Sequence, residues 1–156
     1  MAKEIERKFL VASDEWREAI DSSSSMRQFY LAAGDDRSVR VRIRDGQAFL
    51  TLKFGAQARV RDEFEYPIPL AEAEEMQAFS IGETIEKTRH RVRKDGHVYE
   101  VDVFEGPLAG LVLAELETPQ EVPDAALPKW LGREVTGDSS YYNASLALRG
   151  KPEKSE

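Results

Sequence analysis

The sequence predicts an α+β domain that is mainly β, in which about eight antiparallel strands close into a barrel, with helices packed outside it and a further helix at the C-terminus. Three observations support this prediction. Short runs alternate apolar and polar residues with period two, which is typical of half-buried strands. Two Asp-Gly pairs, Asp45-Gly46 and Asp95-Gly96, separate such runs and indicate tight hairpins. Nearly all the runs are joined by short links, which favours antiparallel pairing and a closed sheet.

The predicted strands are spread along most of the chain. The alternation places them at residues 4–11, 26–31, 38–54, 61–68, 85–106 and 111–118, where the third and fifth ranges are the two hairpins. Apolar residues at helical spacing predict helices over residues 13–20, 70–79 and 138–148, and Pro128 interrupts a further candidate over 124–131. No linker divides the chain, so we expect one domain over residues 1–150 and a disordered tail over 151–156.

The composition excludes several classes of protein. Hydrophobic residues make up 41% and charged residues 33% of the 156-residue chain, which is typical of a globular but highly charged domain. There is no cysteine, so disulfides and zinc sites built on sulfur are excluded. The 29 acidic residues exceed the 22 basic ones, and this net charge of −7 argues against a protein that coats nucleic acid. The chain shows no signal peptide and no membrane-spanning run, so we expect a cytoplasmic protein.

The charged residues of the strands are sorted by sign. Basic side chains share one face of two strands and of a hairpin partner: Arg40, Arg42 and Arg44; Lys87, Arg89, Arg91 and Arg93; and Lys53. Acidic side chains form pairs on three other strands: Glu63 and Glu65, Glu100 and Asp102, and Glu115 and Glu117. A sheet with one face in water usually interleaves the two signs, because like charges side by side repel.

The helices over residues 13–20 and 70–79 need an apolar surface to cover. The strand faces opposite the charges provide one, through Val39, Val41, Ile43, Phe64 and Leu116. If helices cover that face of a closed sheet, the charges point inward, where an unpaired ion costs several kcal/mol. Lys and Arg clusters suit phosphate oxygens, and carboxylate clusters suit divalent cations. The residue types therefore indicate a site for a highly charged phosphate compound with its metal ion.

The opening stretch Glu4-Ile5-Glu6-Arg7-Lys8 has the form Glu-x-Glu-x-Lys. Together with the ordered charged motifs above and the segment VTGDSSYYNASLA at 135–147, it resembles the CYTH superfamily, the triphosphate tunnel metalloenzymes, over residues 2–148. The resemblance implies an eight-stranded antiparallel tunnel with charged side chains inside. It also implies a triphosphate-containing substrate and Mg²⁺ or Mn²⁺. Among the family's members, the chain is most similar to the short bacterial inorganic triphosphatases, which release phosphate from tripolyphosphate.

The resemblance also implies roles for individual residues. The triphosphate would be bound by Lys8, Arg40, Arg42, Lys53, Lys87, Arg89 and Arg91. The metal ions would be bound by Glu4, Glu6, Glu115 and Glu117. The catalytic residues would be Glu4, Glu6 and Glu117, together with Lys8. Three roles stay open for Glu63, Glu65, Glu100 and Asp102: metal ligands, acceptors that orient water, or partners that fix the arginines. Tyr30 would assist Lys8 if that lysine acts as a base.

Three other interpretations remain open. The same scaffold carries adenylate cyclases and thiamine triphosphatases, which would need a pocket for adenine or for the thiamine cation. A non-catalytic module that binds polyphosphate or a nucleotide would keep the basic strands but would not need the metal carboxylates. A homodimer is compatible with an outer wall that helices cover only in part.

Overall fold

The structure is a computed structural model that describes residues 5–57 and 60–152. Nine strands form one antiparallel sheet: β1 (Ile5–Val11), β2 (Ile20–Ala33), β3 (Arg37–Arg44), β4 (Gln47–Gln57), β5 (Val60–Ile68), β6 (Ile81–Lys94), β7 (His97–Phe104), β8 (Val112–Thr118) and β9 (Leu131–Glu134). Their order in the sheet is β5-β4-β3-β2-β6-β7-β8-β1-β9. Two α-helices accompany the sheet, α1 (Leu70–Met76) and α2 (Asn143–Arg149).

The prediction of a closed sheet of eight strands is wrong in two respects. The ninth strand, β9, pairs with β1. It escaped prediction because its four residues, LGRE, include a glycine and show no clear alternation. The sheet is also not closed: within residues 5–57 and 60–152, β5 pairs only with β4, and β9 pairs only with β1. Local alternation predicts strands and faces, but it carries no information on whether the two edges meet.

Both predicted hairpins are confirmed. Asp45 and Gly46 have φ angles of 53° and 76°, and Asp95 and Gly96 have φ angles of 52° and 79°. Two successive residues in the left-handed region form the tight turn whose twist matches that of the flanking strands. Each turn fixes the register of its hairpin, and the register decides which side chains face one another.

The first two predicted helices are shorter than expected. Residues 13–20 form only a 3-10 helix, Glu15–Ala19, because the chain enters β2 at once. The helix predicted over 70–79 is α1 followed by a 3-10 turn, Gln77–Phe79.

The last two helix predictions are also revised. Of the candidate over 124–131, only the 3-10 turn Asp124–Ala126 is present, before β9 begins. The helix predicted over 138–148 starts as a 3-10 turn, where the Asp138 side chain accepts a hydrogen bond from the Ser140 amide, and continues as α2.

The apolar face of the sheet is covered in two places. Val41 on β3 packs in one buried cluster with Ala73 of α1, and Leu116 on β8 packs in another with Trp16 of the 3-10 helix. Both placements confirm the predicted orientation of the strands. Phe64, which was expected under the helices, is 48% exposed. It lies on β5 at the edge of the sheet, beyond the reach of the short α1.

We call the opposite side of the sheet, which bears Arg42, Lys87, Arg89 and Asp102, the charged face. Apolar residues occupy one end of this face, because Ile85, Phe104 and Leu113 lie two positions along their strands from charged residues and point the same way. Leu146 and Ala147 of α2 are buried in the same cluster. The C-terminal helix therefore packs on the charged side of the sheet and covers one end of it.

Part of the predicted tail is described. The Lys151 ammonium donates a hydrogen bond to the Ala109 carbonyl at 2.9 Å, and residues 153–156 lie outside the described residues. The single domain over 1–150 stays a prediction. No helix in the described part of the chain combines the length and the apolar character needed to span a membrane.

Candidate functional site

The centre of the charged face is a tightly bonded group of three ions. Asp102 on β7 accepts two hydrogen bonds from Arg89 on β6, at 2.8 and 2.9 Å, and lies 2.8 Å from the ammonium of Lys87. The side chains of Lys87 and Asp102 are 0% and 5% exposed. A carboxylate can be buried this deeply because it has two cationic donors.

The pKa values follow from this arrangement. Burial alone would raise the pKa of Asp102, but Lys87 and Arg89 hold it well below its usual range. Burial lowers the pKa of Lys87 to about 8 against the opposing effect of Asp102, and the nearby Arg89 and Arg42 add to the lowering. Burial also disfavours the charged form of Arg89, but its bonds to Asp102 and the charge of Glu100 raise its pKa overall. Lys87 is therefore the cation of this group that loses its proton most readily.

The two arginines Arg40 and Arg42 of β3 are bonded to neutral side chains, whereas Arg89 is bonded to a carboxylate. Arg42 donates from Nε to the side-chain carbonyl of Gln28 at 2.9 Å, and Arg40 donates to the Thr51 hydroxyl at 3.4 Å. The same hydroxyl donates to Glu65 at 3.2 Å. Burial, together with the charges of Arg40 and Arg89, lowers the pKa of Arg42 to about 10. Neutral partners leave the positive charge of both arginines uncancelled.

The acidic residues lie on the same charged face, on the neighbouring strands β7, β8 and β1. Glu6 on β1 is directly opposite Glu117 on β8, and Glu115 is directly opposite Glu100 on β7. Glu115 also lies 3.5 Å from the ammonium of Lys8. Like charges facing each other across strands destabilise a sheet, and a cation between them removes the repulsion.

The acidic group is the part of the charged face whose chemistry suits a metal ion. Its donors are carboxylate oxygens, which Mg²⁺ and Mn²⁺ prefer, so the residue types fit a divalent ion. Among residues 5–57 and 60–152, however, no three acidic or histidine side chains come together closely enough to hold a metal ion by themselves. Glu4, the first predicted ligand, lies outside the described residues.

The C-terminal segment reaches two of the predicted phosphate-binding lysines. The Lys8 ammonium donates to the Tyr141 carbonyl at 3.4 Å and lies 5.6 Å from the centre of the Tyr142 ring. The Lys87 ammonium donates to the Asn143 side chain at 3.5 Å. The segment around residues 141–143 therefore lines the charged face next to both lysines.

The remaining predicted site residues lie outside the central group of Lys87, Arg89 and Asp102. Lys53 and Glu63 are direct partners across β4 and β5, towards the edge of the sheet. Arg91 lies opposite Glu100 but is exposed. Tyr30 is buried in the apolar cluster under α2. The structure thus brings Arg40, Arg42, Lys87, Arg89 and Asp102 into one group, with the acidic residues and Lys8 beside it.

Two residues of this site were not predicted. Gln28 and Thr51 are both fully buried on the charged face, where they hold Arg42 and Arg40. Neither carries a charge, so the sorting of signs gave no indication of them. The period-two pattern could have indicated them, because Gln28 is two residues from Tyr30, and Thr51 is two residues from Lys53. Residues two apart on a strand point to the same face.

Comparison with known proteins agrees with this arrangement. The chain matches the family model for the CYTH domain over residues 2–150. It is 41% identical over 147 residues to an inorganic triphosphatase of Acetivibrio thermocellus, covering 94% of each chain. It is 38% identical over 149 residues to an inorganic triphosphatase of Nitrosomonas europaea, covering 93% of this chain and 97% of that one. A crystal structure of an inorganic triphosphatase superimposes with a TM-score of 0.74 at 37% identity, covering 97% and 99% of the two chains. The chain belongs to the CYTH domain family.

Proposed function

We propose that this chain is a metal-dependent triphosphatase that hydrolyses inorganic tripolyphosphate to pyrophosphate and phosphate. Two relatives that cover nearly its whole length are inorganic triphosphatases. The structural observation that carries the proposal is the uncancelled positive charge of Arg40 and Arg42. Within the described residues neither arginine forms an ion pair, although Arg40 is only 5% exposed. Buried cations of this kind need a polyanionic partner.

Separate sets of residues would bind the substrate and the metal ion. Arg40, Arg42, Lys87 and Arg89 bind the phosphate oxygens and stabilise the charge that develops during transfer. Lys8, Lys53 and Arg91 extend this binding surface along the neighbouring strands. Glu4, Glu6, Glu115 and Glu117 would hold a divalent ion, Mg²⁺ or Mn²⁺, which would supply Lewis-acid stabilisation of the phosphoryl oxygens.

The other acidic residues take separate roles in this proposal. Asp102 fixes Lys87 and Arg89, Glu100 supports Arg89 at 3.2 Å, and Glu65 supports Thr51. These contacts favour the role of partners that fix the cations over that of metal ligands. Tyr30 and Glu63 have no direct part in the proposed reaction.

The test is a comparison of substrates and metals. Purified protein is incubated with tripolyphosphate, ATP or thiamine triphosphate, each with Mg²⁺, Mn²⁺ or chelator, and the products are identified. We expect phosphate and pyrophosphate from tripolyphosphate, and no turnover with chelator. Cyclic AMP from ATP, faster hydrolysis of thiamine triphosphate, or tight binding without turnover would each contradict the proposal.

One substitution tests the metal assignment separately. Glu117→Gln removes the charge of a proposed ligand with little change in shape, so we expect turnover to be lost while the fold is kept. Glu86→Gln is the matched control, because Glu86 is exposed on the opposite face of β6. Wild-type turnover in Glu117→Gln would refute the assignment.

A further inference from the structure

Gln28 occupies an unusual position for an amide side chain. It lies on β2, directly opposite Arg42 on β3 and Ile85 on β6, and it is 0% exposed. Glutamine is mostly found at protein surfaces, and a buried one is expected to satisfy its hydrogen-bonding groups. Its presence in the middle of the charged face therefore needs an explanation.

Of the two polar atoms of the Gln28 amide, only the oxygen forms a hydrogen bond among the described residues. Its oxygen accepts the hydrogen bond from Nε of Arg42 at 2.9 Å. This bond fixes the orientation of the amide, because the reversed orientation would place an N–H group against the N–H of the arginine. Its nitrogen is buried and has no hydrogen-bond partner among the described residues. Stability alone does not account for a buried amide with an unused donor.

The contrast with Arg89 shows what an amide achieves here. Arg89 is held by the carboxylate of Asp102, which orients the guanidinium and cancels its charge. Gln28 orients the guanidinium of Arg42 in a similar way but carries no charge. Arg42 is therefore kept in a fixed position with its full positive charge available to an anion.

We propose that Gln28 is a positioning residue, which holds Arg42 ready for the triphosphate without neutralising it. This inference rests on the proposed function, because it assumes that the charged face binds a polyanion. Gln28 acts through Arg42 and need not touch the substrate. Its chemical requirement is a neutral acceptor of the length of glutamine at this position.

The chain contains a matched pair of residues on the other side of the sheet. Arg27 donates to the side-chain oxygen of Gln77 at 3.0 Å, in the same kind of arginine–glutamine contact. This pair lies beside α1, away from the charged face. Arg27 also pairs with the Glu74 carboxylate at 2.8 Å. A substitution at Gln77 therefore makes the same glutamine-to-glutamate change beside an arginine, but away from the charged face.

The experiment uses Gln28→Glu, Gln28→Met and the control Gln77→Glu. Tripolyphosphate binding is measured by calorimetry in the presence of chelator, and thermal unfolding is measured on the same samples. In Gln28→Glu the new carboxylate pairs with Arg42, so we expect unchanged or higher thermal stability but a Kd raised roughly 10- to 100-fold. In Gln28→Met the arginine loses its acceptor, so we expect steady-state hydrolysis of tripolyphosphate with Mg²⁺ to show KM raised roughly tenfold and kcat little changed. Gln77→Glu should bind tripolyphosphate like the wild type.

Two outcomes would overturn the inference. The first is a wild-type Kd for tripolyphosphate in both Gln28 variants. The second is a Gln28→Glu protein that binds more weakly but is also less stable to heat than the wild type, because unfolding would then explain the weaker binding. A double-mutant cycle gives an independent measurement, because Gln28→Met should cause no further loss in an Arg42→Met background. Further loss there would show that Gln28 does not act through Arg42. If the wild-type protein neither binds tripolyphosphate under these conditions nor hydrolyses it with Mg²⁺ or Mn²⁺, the proposed function itself is refuted.

Discussion

The hairpins β3–β4 and β6–β7 are built alike and hold their arginines in opposite ways. Both turn through Asp-Gly in the left-handed region, and both carry Arg-x-Arg on the strand before the turn. In β6–β7 the residues opposite these arginines are acids: Asp102 faces Arg89, and Glu100 faces Arg91. The second hairpin therefore cancels much of its own positive charge.

In β3–β4 the residues opposite are neutral. Thr51 faces Arg40, and Phe49 faces Arg42. The first hairpin therefore keeps its positive charge, and its arginines are held by a hydroxyl and by the amide of Gln28. We therefore expect β6–β7 to contribute mainly to the stability of the site and β3–β4 to contribute mainly to its affinity for an anion.

Removing the central carboxylate tests the stabilising hairpin and should have the largest effect. Asp102→Asn leaves the buried Lys87 without its carboxylate partner among the described residues, and it leaves Arg89 with only the partly exposed Glu100 as a partner. We expect the free energy of unfolding, measured with urea at pH 7, to fall by about 3–5 kcal/mol. Glu63→Gln, on exposed β5, is the control and should change it by less than about 0.5 kcal/mol. A loss below about 1 kcal/mol for Asp102→Asn would remove the distinction between the hairpins.

Equivalent substitutions in the two hairpins should separate affinity from stability. Arg42→Met removes a cation whose burial is uncompensated, so we expect it to lower the free energy of unfolding by less than about 1 kcal/mol. It should raise the Kd for tripolyphosphate roughly 10- to 100-fold, because a charged contact to phosphate is lost. Arg89→Met should destabilise the fold more strongly, because Asp102 loses its bidentate partner. Equal destabilisation by the two changes would argue against this division.

The pH dependence of binding should show the smallest effect. Because the pKa of Lys87 is lowered to about 8, this residue loses its proton above that pH in the free protein. A bound polyanion favours the protonated form, so binding takes up a proton, and the affinity for tripolyphosphate should fall by up to about tenfold per pH unit above pH 8. Calorimetry in buffers of different ionisation enthalpy measures the proton uptake. Lys87→Arg stays charged and should flatten the profile, and an identical profile in this variant would assign the effect to another group.

The sequence was most informative where a local rule decides the structure. The Asp-Gly turns and the period-two alternation correctly placed both hairpins and put Arg40, Arg42, Lys87 and Arg89 on one face. This worked because a strand has only two faces, and a shift of one residue would expose the whole apolar set.

Features that depend on distant parts of the chain could not be predicted. The first half of β2 is a run of serines with low strand propensity, and it is a strand because β6 pairs with it. Whether the sheet closes depends on whether its two edge strands pair with each other, and the sequence of one strand carries no information on that pairing. Gln28 and Thr51 were missed because a buried neutral partner for an arginine has no signature in composition or charge.

The contacts of Lys8 join segments that are far apart in the sequence. Its ammonium lies against residues 141 and 142, and β1 pairs with β8 and β9, the last strands to be made. During synthesis, β1 therefore stays without its neighbouring strands until residues 112–134 have left the ribosome. Contacts between segments so far apart in sequence form slowly and expose unpaired strands in the meantime. A ribosome-bound chain that ends before residue 131 has neither β9 nor α2, so it cannot complete the surroundings of Lys8.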